Sequence, residues 1–439
     1  MGSFRFLPFF LAALSVPALA GPSAAARVVT LDEVLQTARE HQPQIQQARA
    51  QTQAAAHRVG EALAPLLPQL NLTGNYQRTT ANFVFRPGSN PQALNQSTNS
   101  TFNTFDFYNF GIQANQLVYD FEQTTGKWRA AQASASAQAD TERATLLQIL
   151  LTARTSFFNA RATKALVEVA KETLDNQDKH LKQTEAFVQV GTQPQIALAQ
   201  ARTDFANAQV QLVTARNNYE QAKAQLNQAI GIEGPTDYDV SDDTMNAIEG
   251  EDRDIDTLAE QAVDTRPEIA SLNEQIRSQE MTIRSLQGGY GPSIGLATGL
   301  TDAGEKINQL GWNFAAGVTF TWPLFQGGLT KEQVGEAKAN LAALSAQTDL
   351  TRQQIRLQVD QARLAVLAAK ASISATAEAL INAREQLRLA EGRYTTGVGN
   401  IIELGDAQVA LTSAEAQKVQ SDYNLATARA QLYQALGGL

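Results

Sequence analysis

The carboxylates Glu403 and Asp406 stand three residues apart in a helical stretch, so they share one face close to the helix start. Copies of such a pair gathered around an axis would favour cations and raise some proton affinities by like-charge repulsion. For Glu403 two readings stay open, because Asn400-Ile401-Ile402-Glu403 also has the form of a variant capping box and acids are favoured in a first helical turn. Asp406 lies deeper in the helix, which favours a pore role. No other constellation carries chemistry. His41, His57 and His180 are scattered on helical segments without partner spacing and read as solvated surface histidines. There is no G-x-S-x-G, P-loop or H-E-x-x-H pattern. Cysteine is absent, which removes disulfides, thiol catalysis, Cys-ligated metals and the acylated cysteine of bacterial lipoproteins. No enzyme activity, cofactor or metal is expected.

The helix that carries the two acids belongs to the second of two copies of one unit. Gly191 falls on Gly397 at a shift of 206, and the same shift places Ile196 on Ile402, Leu198 on Leu404, Ala201 on Ala407, Gly231 on Gly437 and Gly111 on Gly317. Upstream the shift is 224, with Leu31-Asp32 on Ile255-Asp256, Pro43 on Pro267 and Pro68 on Pro292. The difference, 224 − 206 = 18, means that one connection is shorter in the second copy. It lies between Gln77 and Tyr108 in the first copy, in a stretch rich in Asn, Ser, Thr and Phe that suits a long external loop.

Each copy contains alternating segments. Tyr108, Phe110, Ile112, Ala114 and Val118 alternate with Asn109, Gly111, Gln113 and Asn115. In the second copy Trp312, Phe314, Ala316, Val318, Phe320 and Trp322 alternate with Asn313, Ala315, Gly317, Thr319 and Thr321. Aromatics at both ends of an apolar face suit a strand that faces lipid, and each run has about the 9 to 11 residues that a tilted strand needs to cross a bilayer. Shorter alternations, Leu70/Leu72/Tyr76 and Ile294/Leu296/Leu300, follow Pro68 and Pro292, so the chain offers four strands. Four strands cannot close a membrane barrel, because the smallest closed examples use about 8; oligomerisation is required. An ordinary soluble hairpin with one buried face is the competing reading of the strands alone. No run of 18 apolar residues follows the N-terminus, which excludes a membrane-spanning helix.

The helices are long. Thr124 to Phe187 and Thr330 to Arg393 are proline-free stretches of 64 residues, each about 95 Å as one helix at 1.5 Å per residue. The returning helices carry heptads, Leu198/Phe205/Leu212/Tyr219/Leu226 beside Ala201/Ala208/Ala215/Ala222/Ala229, and Leu404/Leu411/Lys418/Leu425/Leu432 beside Ala407/Ala414/Ser421/Ala428/Ala435, where Lys418 and Ser421 weaken the seam without breaking its register. Ile402, Val409, Ala416, Tyr423 and Ala430 lie opposite the second seam. A helix that is apolar on two opposed sides wants a neighbour on each flank, as in a cylinder wall. One polar face is almost uncharged: Ala410, Ser413, Gln417, Gln420 and Asn424, matched in the first copy by Asp204, Asn207, Gln211, Thr214 and Asn218. It is expected to line a tunnel, with Glu403 and Asp406 at its tip end. The other face, with Glu415, Asp422 and Arg429, is expected to meet the periplasm. The hairpins turn at Gly191 and Pro194 and at Gly397 and Asn400.

At the N-terminus, Arg5, the apolar run Phe6 to Leu14 and Ala18-Leu19-Ala20 read as a secretory signal over 1–20. The first repeat then covers 21–231, an acidic equatorial linker 232–254, and the second repeat 255–439. The linker holds nine acids against Arg253 alone and reads as solvated, with a collar or cation site as the alternative. A net charge of −9 without a Lys/Arg block argues against nucleic acid.

In this order and spacing, Thr30-Leu31-Asp32-Glu33-Val34, Arg266-Pro267-Glu268-Ile269, Pro68-Gln69-Leu70, Trp322-Pro323-Leu324-Phe325-Gln326-Gly327-Gly328 and the tip Tyr394-Thr395-Thr396-Gly397 resemble the TolC-like outer-membrane efflux protein family. The resemblance covers essentially all of the mature chain. It implies a mixed α and β fold, in which a homotrimer closes a 12-stranded barrel from four strands per chain and continues it as a long antiparallel coiled-coil α-barrel. It also implies contact with outer-membrane lipid, a periplasmic adaptor protein and an inner-membrane proton-driven pump or ABC exporter. By the same resemblance Glu403 and Asp406 fall at the acidic ring of the closed tip and Tyr394 at a linking tyrosine. Ile196, Ala197 and Gly399 depart from the polar residues and arginine expected beside them. The expected function is a passive outer-membrane exit duct for small molecules or proteins, reaching into the periplasm. A periplasmic coiled-coil scaffold or adaptor without a barrel is the alternative.

Overall fold

The computed structural model describes residues 27–80, 102–248 and 250–438. The secretory signal expected at 1–20 and most of the long connection after Gln77 lie outside the described residues. In chain order the elements are β1 (Arg27–Val29), α1 (Leu31–His41), α2 (Pro43–Leu63), β2 (Gln69–Thr80), β3 (Thr104–Tyr119), α3 (Gln123–Gln189) and α4 (Gln195–Ile230). They continue with β4 (Tyr238–Val240), α5 (Ile255–Thr265), α6 (Pro267–Gly288), β5 (Ser293–Gly304), β6 (Gly311–Thr321), α7 (Leu329–Thr395) and α8 (Ile401–Ala435). The repeat is visible in this order. Both long helices have 67 residues. The connection that shortens in the second copy is the one between the paired strands, which joins Thr80 to Thr104 in the first copy and Gly304 to Gly311 in the second.

The helices form a wall. Along its lower half α4, α3, α8 and α7 lie side by side in that order; along its upper half the order is α2, α3, α6 and α7. The two long helices thus run the full height, while the other two rods are each assembled from two helices placed end to end. At one joint the Gln42 side chain donates to the last carbonyls of α4, Gln228 at 3.1 Å and Ala229 at 2.8 Å, and α2 opens on Pro43. At the other, Thr265 Oγ1 donates to the Leu436 carbonyl at 2.8 Å and α6 opens on Pro267. Proline suits these positions because a first-turn residue has no intrahelical bond for its missing N–H to make. Gly231 is left-handed at φ 74°, and a side chain on it would meet the Gln42 backbone at 2.7 Å, so only glycine lets the rods touch.

Two matched cores hold the wall together near the joints. In the first copy Val34, Ala38, Ile45, Ile149, Ala153 and Leu226 are buried together. In the second, Leu258, Ala262, Ile269, Ile355, Val359 and Leu432 are their counterparts at the shifts of 224 and 206. The heptad seams account for the returning helices: Leu404, Ala407, Leu411 and Ala414 are buried with Leu387 and Ala390 of α7.

Three expectations are corrected here. The acidic stretch 232–254 is not a solvated linker, because it straps the waist of the wall. Its Tyr238 and Val240 pair in parallel with β1 and pack on the first core, and Lys164 of α3 reaches Asp239 at 2.9 Å. Glu251, 4 % exposed, takes a bidentate grip from Arg429 at 3.0 and 3.1 Å and a further contact from Lys370 at 2.7 Å. Burial pushes its carboxyl up, but these bonds and the Ile248 N–H outweigh that and hold it near 2. Secondly, α7 is long and apolar enough by composition to cross a membrane. A search for an unbroken apolar run misses it because single polar residues such as Lys370 and Ser372 are interspersed; the helix packs along α5, α6 and α8. Thirdly, His180 is not solvated: its side chain is 16 % exposed between α3 and α7, with Nδ1 buried and unbonded. Burial lowers its pKa.

Candidate functional site

The four longer strands make one antiparallel sheet in the order β2-β3-β5-β6. Its register aligns the apolar alternations on one face, Leu72 opposite Ile112, Ile112 opposite Leu300, Leu300 opposite Phe314, and Leu296 opposite Val318, except that a bulge between Leu117 and Tyr119 leaves the expected Val118 out of register. Tyr76 and Tyr108 stack at 5.1 Å between ring centroids at one end of that face. Phe110, Ile112, Trp312, Phe314, Val318 and Phe320 are all exposed, and Tyr108 is half-buried. Among the described residues, no core covers them. The opposite face carries Asn71, Thr73, Asn109, Gln113, Thr301, Asn313 and Thr319, and none of its paired positions is charged. Trp322 is a correction: β6 ends at Thr321, and the Trp322 indole N–H instead donates to the Tyr290 carbonyl at 3.0 Å. Among the described residues, the outer edges of β2 and β6 have no partner strand.

At the far end of the wall the hairpins turn where glycine was expected to turn them, with Gly191 at φ 80° and Gly397 at φ 76°. Asn400 caps α8 by accepting the Ile402 N–H at 3.1 Å, whereas Pro194 caps α4 without a side-chain bond. Tyr394 is 3 % exposed. Its hydroxyl lies 3.4 Å from Thr184 Oγ1 and its ring 6.0 Å from that of Phe187, which ties the end of α7 to α3. Gly399 packs so closely under this turn that a side chain would meet the Tyr394 nitrogen at 2.8 Å; the arginine of the family pattern has no room there. Ile196 is exposed and Ala197 buried.

The two acids separate. Glu403 faces Arg393 across the hairpin, with Oε1 3.1 Å from Nε, a partner the helix-face reading missed because it lies on the preceding helix. Asp406 is exposed and makes no ion pair among the described residues. It lines a groove of about 1010 Å³ between α4 and α8, floored by Thr173 and Gln177 of α3. Asn207, Gln211 and Ser413 line the same groove, and Asn218, Gln417, Gln420 and Asn424 continue the exposed strip above it. The weakly charged faces of the two copies therefore meet in one concavity. The charged face does not behave as expected. Glu415 is buried beside Arg384 at 3.3 Å, and Arg429 is turned onto Glu251, so these side chains bond within the chain. Among the described residues no group of three metal-ligating side chains occurs.

A sheet with one exposed apolar face and two free edges, continued by a wall of long helices with a polar concavity, defines an outer-membrane duct component. Comparison with known proteins gives the same class. The outer membrane efflux protein family model matches residues 34–232 and 258–438, and the chain belongs to that family. It is 28 % identical to outer membrane protein TolC of Escherichia coli over 96 % of this chain and 85 % of that one. It is 25 % identical to the solvent efflux pump outer membrane protein SrpC of Pseudomonas putida over 69 % of this chain and 65 % of that one. The crystal structure of the Campylobacter jejuni CmeC outer membrane channel superposes with a TM-score of 0.80 at 17 % identity, covering 99 % of this chain and 94 % of that one. The chain is thus an outer-membrane efflux channel component, of a family of ducts and not of enzymes.

Proposed function

We propose that three copies of this chain close their sheets into one barrel and their helical walls into one periplasmic tunnel, through which cargo leaves passively. The observation that carries the reading is the pair of unsatisfied borders. An open strand edge in lipid strands unpaired backbone groups, so the free edges of β2 and β6 must meet in a ring. The wall has matching borders: α7 exposes Leu350, Leu357, Leu364 and Ile381 on one side, and α4 exposes Val210 and Val213 on the other. Tyr108, Phe110, Ile112, Trp312, Phe314, Val318 and Phe320 then face lipid, with Trp322 just beyond at the interface. Asn207, Gln211, Asn218, Ser413, Gln417, Gln420 and Asn424 line the tunnel, where uncharged hydrogen-bonding groups hold cargo weakly. Glu403, Asp406 and Tyr394 belong to the periplasmic gate. Energy comes from outside the chain, through an adaptor and an inner-membrane proton-driven pump or ABC exporter docked at the tip.

Native mass spectrometry of the chain purified in detergent tests the assembly. Three copies are expected; a stable, folded single copy would overturn it. Quenching of Trp312 fluorescence by brominated lipid tests the lipid face, and an unquenched Trp312 in a reconstituted sample would remove it.

A further inference from the structure

Within the chain, three serines of α6 tie the upper wall to α3. Ser271, Ser278 and Ser285 stand seven residues apart and donate to three α3 carbonyls that are also seven apart, Ala137 at 2.9 Å, Ala130 at 2.8 Å and Gln123 at 2.6 Å. The register is thereby fixed, and the helices close so tightly that a side chain on Gly126 would meet Ser285 Cβ at 2.8 Å. At the top of the same seam the Phe121 ring packs over Gly291.

The repeat offers this seam a second time, with its two sides on opposite borders of the wall. A shift of 224 carries the α6 side back onto α2, and a shift of 206 carries the α3 side forward onto α7. Knob and hole then change places. Phe121 becomes Gly327, where a side chain would meet no described residue within 4 Å, and Gly291 becomes Leu67, which is 51 % exposed. Beneath them Ser285 becomes Glu61 and Gly126 becomes Glu332, both exposed. Arg58, the counterpart of Thr282, falls between the levels of Glu332 and Glu336.

We propose that the α2 border of one copy docks on the α7 border of the next in this register, with Leu67 seated over Gly327 and Gly328 and Arg58 set between Glu332 and Glu336. The inference rests on the three-copy assembly above and names the contact that closes it. Such a contact joins two different surfaces head to tail and makes a ring when repeated. Two features select a second copy as the occupant. The exposed Leu67 and the open space at Gly327 are complementary in shape, and they are related by the same repeat that packs Phe121 on Gly291. The Arg58 guanidinium and the two glutamates are complementary in charge. The two kinds of seam also differ in width. Leu67, Glu61 and Glu332 stand where the seam within the chain has Gly291, Ser285 and Gly126, so the helices that meet between copies lie further apart. The upper wall therefore alternates a tight seam of serine hydroxyls on carbonyls with a wider, charged one.

The chain contains no cysteine, so an engineered pair reads the register directly. Glu61→Cys with Glu332→Cys, in the full chain purified in detergent and gently oxidised, is expected to give covalent trimers on a non-reducing gel. The wider seam brings these positions toward the ~3.5–4.5 Å between Cβ atoms that a disulfide needs. Glu61→Cys with Ala339→Cys, on the same face but about 10 Å out of register at 1.5 Å per residue, is expected to stay unlinked. Leu67→Ala is expected to raise the concentration at which trimers dissociate in native mass spectrometry by about tenfold or more. Leu67 is exposed in the single copy, so the fold of each chain is not at stake. Trimers that form without the Glu61–Glu332 link, or that link equally well through Ala339, overturn the register while the assembly stands. A Leu67→Ala chain that holds its trimers as tightly as the parent does the same. Single copies alone, from the parent chain, take down the assembly reading together with it.

Discussion

The two repeats make the same turn from sheet to long helix with opposite kinds of residue. After β6 the chain passes through Gly327 and Gly328, both left-handed at φ 63° and 86°, with open space around them. After β3 the equivalent positions are Phe121 and Glu122, at φ 52° and 66°, a conformation that a bulky side chain adopts only under strain. The difference follows from where each turn sits. The first lies between two helices of the wall, where α3 meets α6: the Phe121 ring, though partly exposed, packs over Gly291, its carbonyl lies against Gly288, and Asp120 caps the helix by accepting the Thr124 N–H at 2.8 Å. The second lies on the outer border of α7, where a side chain on either glycine would meet no described residue. Interior position, through packing and capping, stabilises a strained backbone; border position leaves the turn to glycine and the surface to a neighbour.

That contrast can be broken most forcefully at Gly288. An added methyl there would sit 2.4 Å from the Phe121 carbonyl oxygen, backbone against backbone. Gly288→Ala is expected to destabilise by about 3 kcal/mol, whereas Gly335→Ala, in open space on α7, is expected to be neutral or to gain up to ~1 kcal/mol from helix propensity. Thermal unfolding followed by circular dichroism separates them, and equal effects would undo the distinction between interior and border.

The strap between the repeats gives the next effect. The Glu251 carboxyl titrates well below its unfolded value, so its contribution is fully present above about pH 5 and is lost as pH falls toward 2. Glu251→Gln is expected to cost roughly 2–3 kcal/mol at neutral pH and to flatten the acid limb of the stability curve. A parent-like acid limb in the variant would show that the Arg429 grip contributes nothing.

Smaller effects sharpen the comparison further. Glu122→Gly should relieve a left-handed residue and stabilise by up to ~1 kcal/mol, losing only a 3.8 Å contact with Arg129; destabilisation would mean that the turn is not strained. At the tips, the first-repeat equivalent of Tyr394 is Val188, which has no hydroxyl. Tyr394→Phe should cost less than ~1 kcal/mol yet loosen α7 from α3, read as faster amide exchange over residues 384–395 than over 178–189. Unchanged exchange would remove the latch.

Most of the architecture was legible because it rests on periodicity. Trp312, Phe314, Val318 and Phe320 must share a side of any strand, and Leu404, Ala407 and Leu411 must share a side of any helix, whatever lies around them. What stayed hidden depends on partners distant in the chain. Glu403 looked free because Arg393 sits across a turn, and Glu415 and Arg429 looked solvated because charge alone does not reveal a neighbour such as Arg384 or Glu251. Asp204 was visible as the one acid on an otherwise neutral strip, but nothing in its own helix says that α8 brings Asp406 to the same groove. The β1–β4 pairing is three residues long, too short for an alternation to register.

The end-to-end joints have a mechanical consequence. A continuous helix transmits an axial push or a twist through its own ladder of backbone bonds, whereas α8 and α6 are not joined by backbone, and across their joint the load passes through packing and side-chain bonds such as those of the Thr265 hydroxyl to the Leu436 carbonyl and of the Arg266 guanidinium to the Ala435 carbonyl. At each joint a rod's stiffness therefore rests on packing and side-chain bonds, while α3 and α7 carry load past it along unbroken backbone ladders.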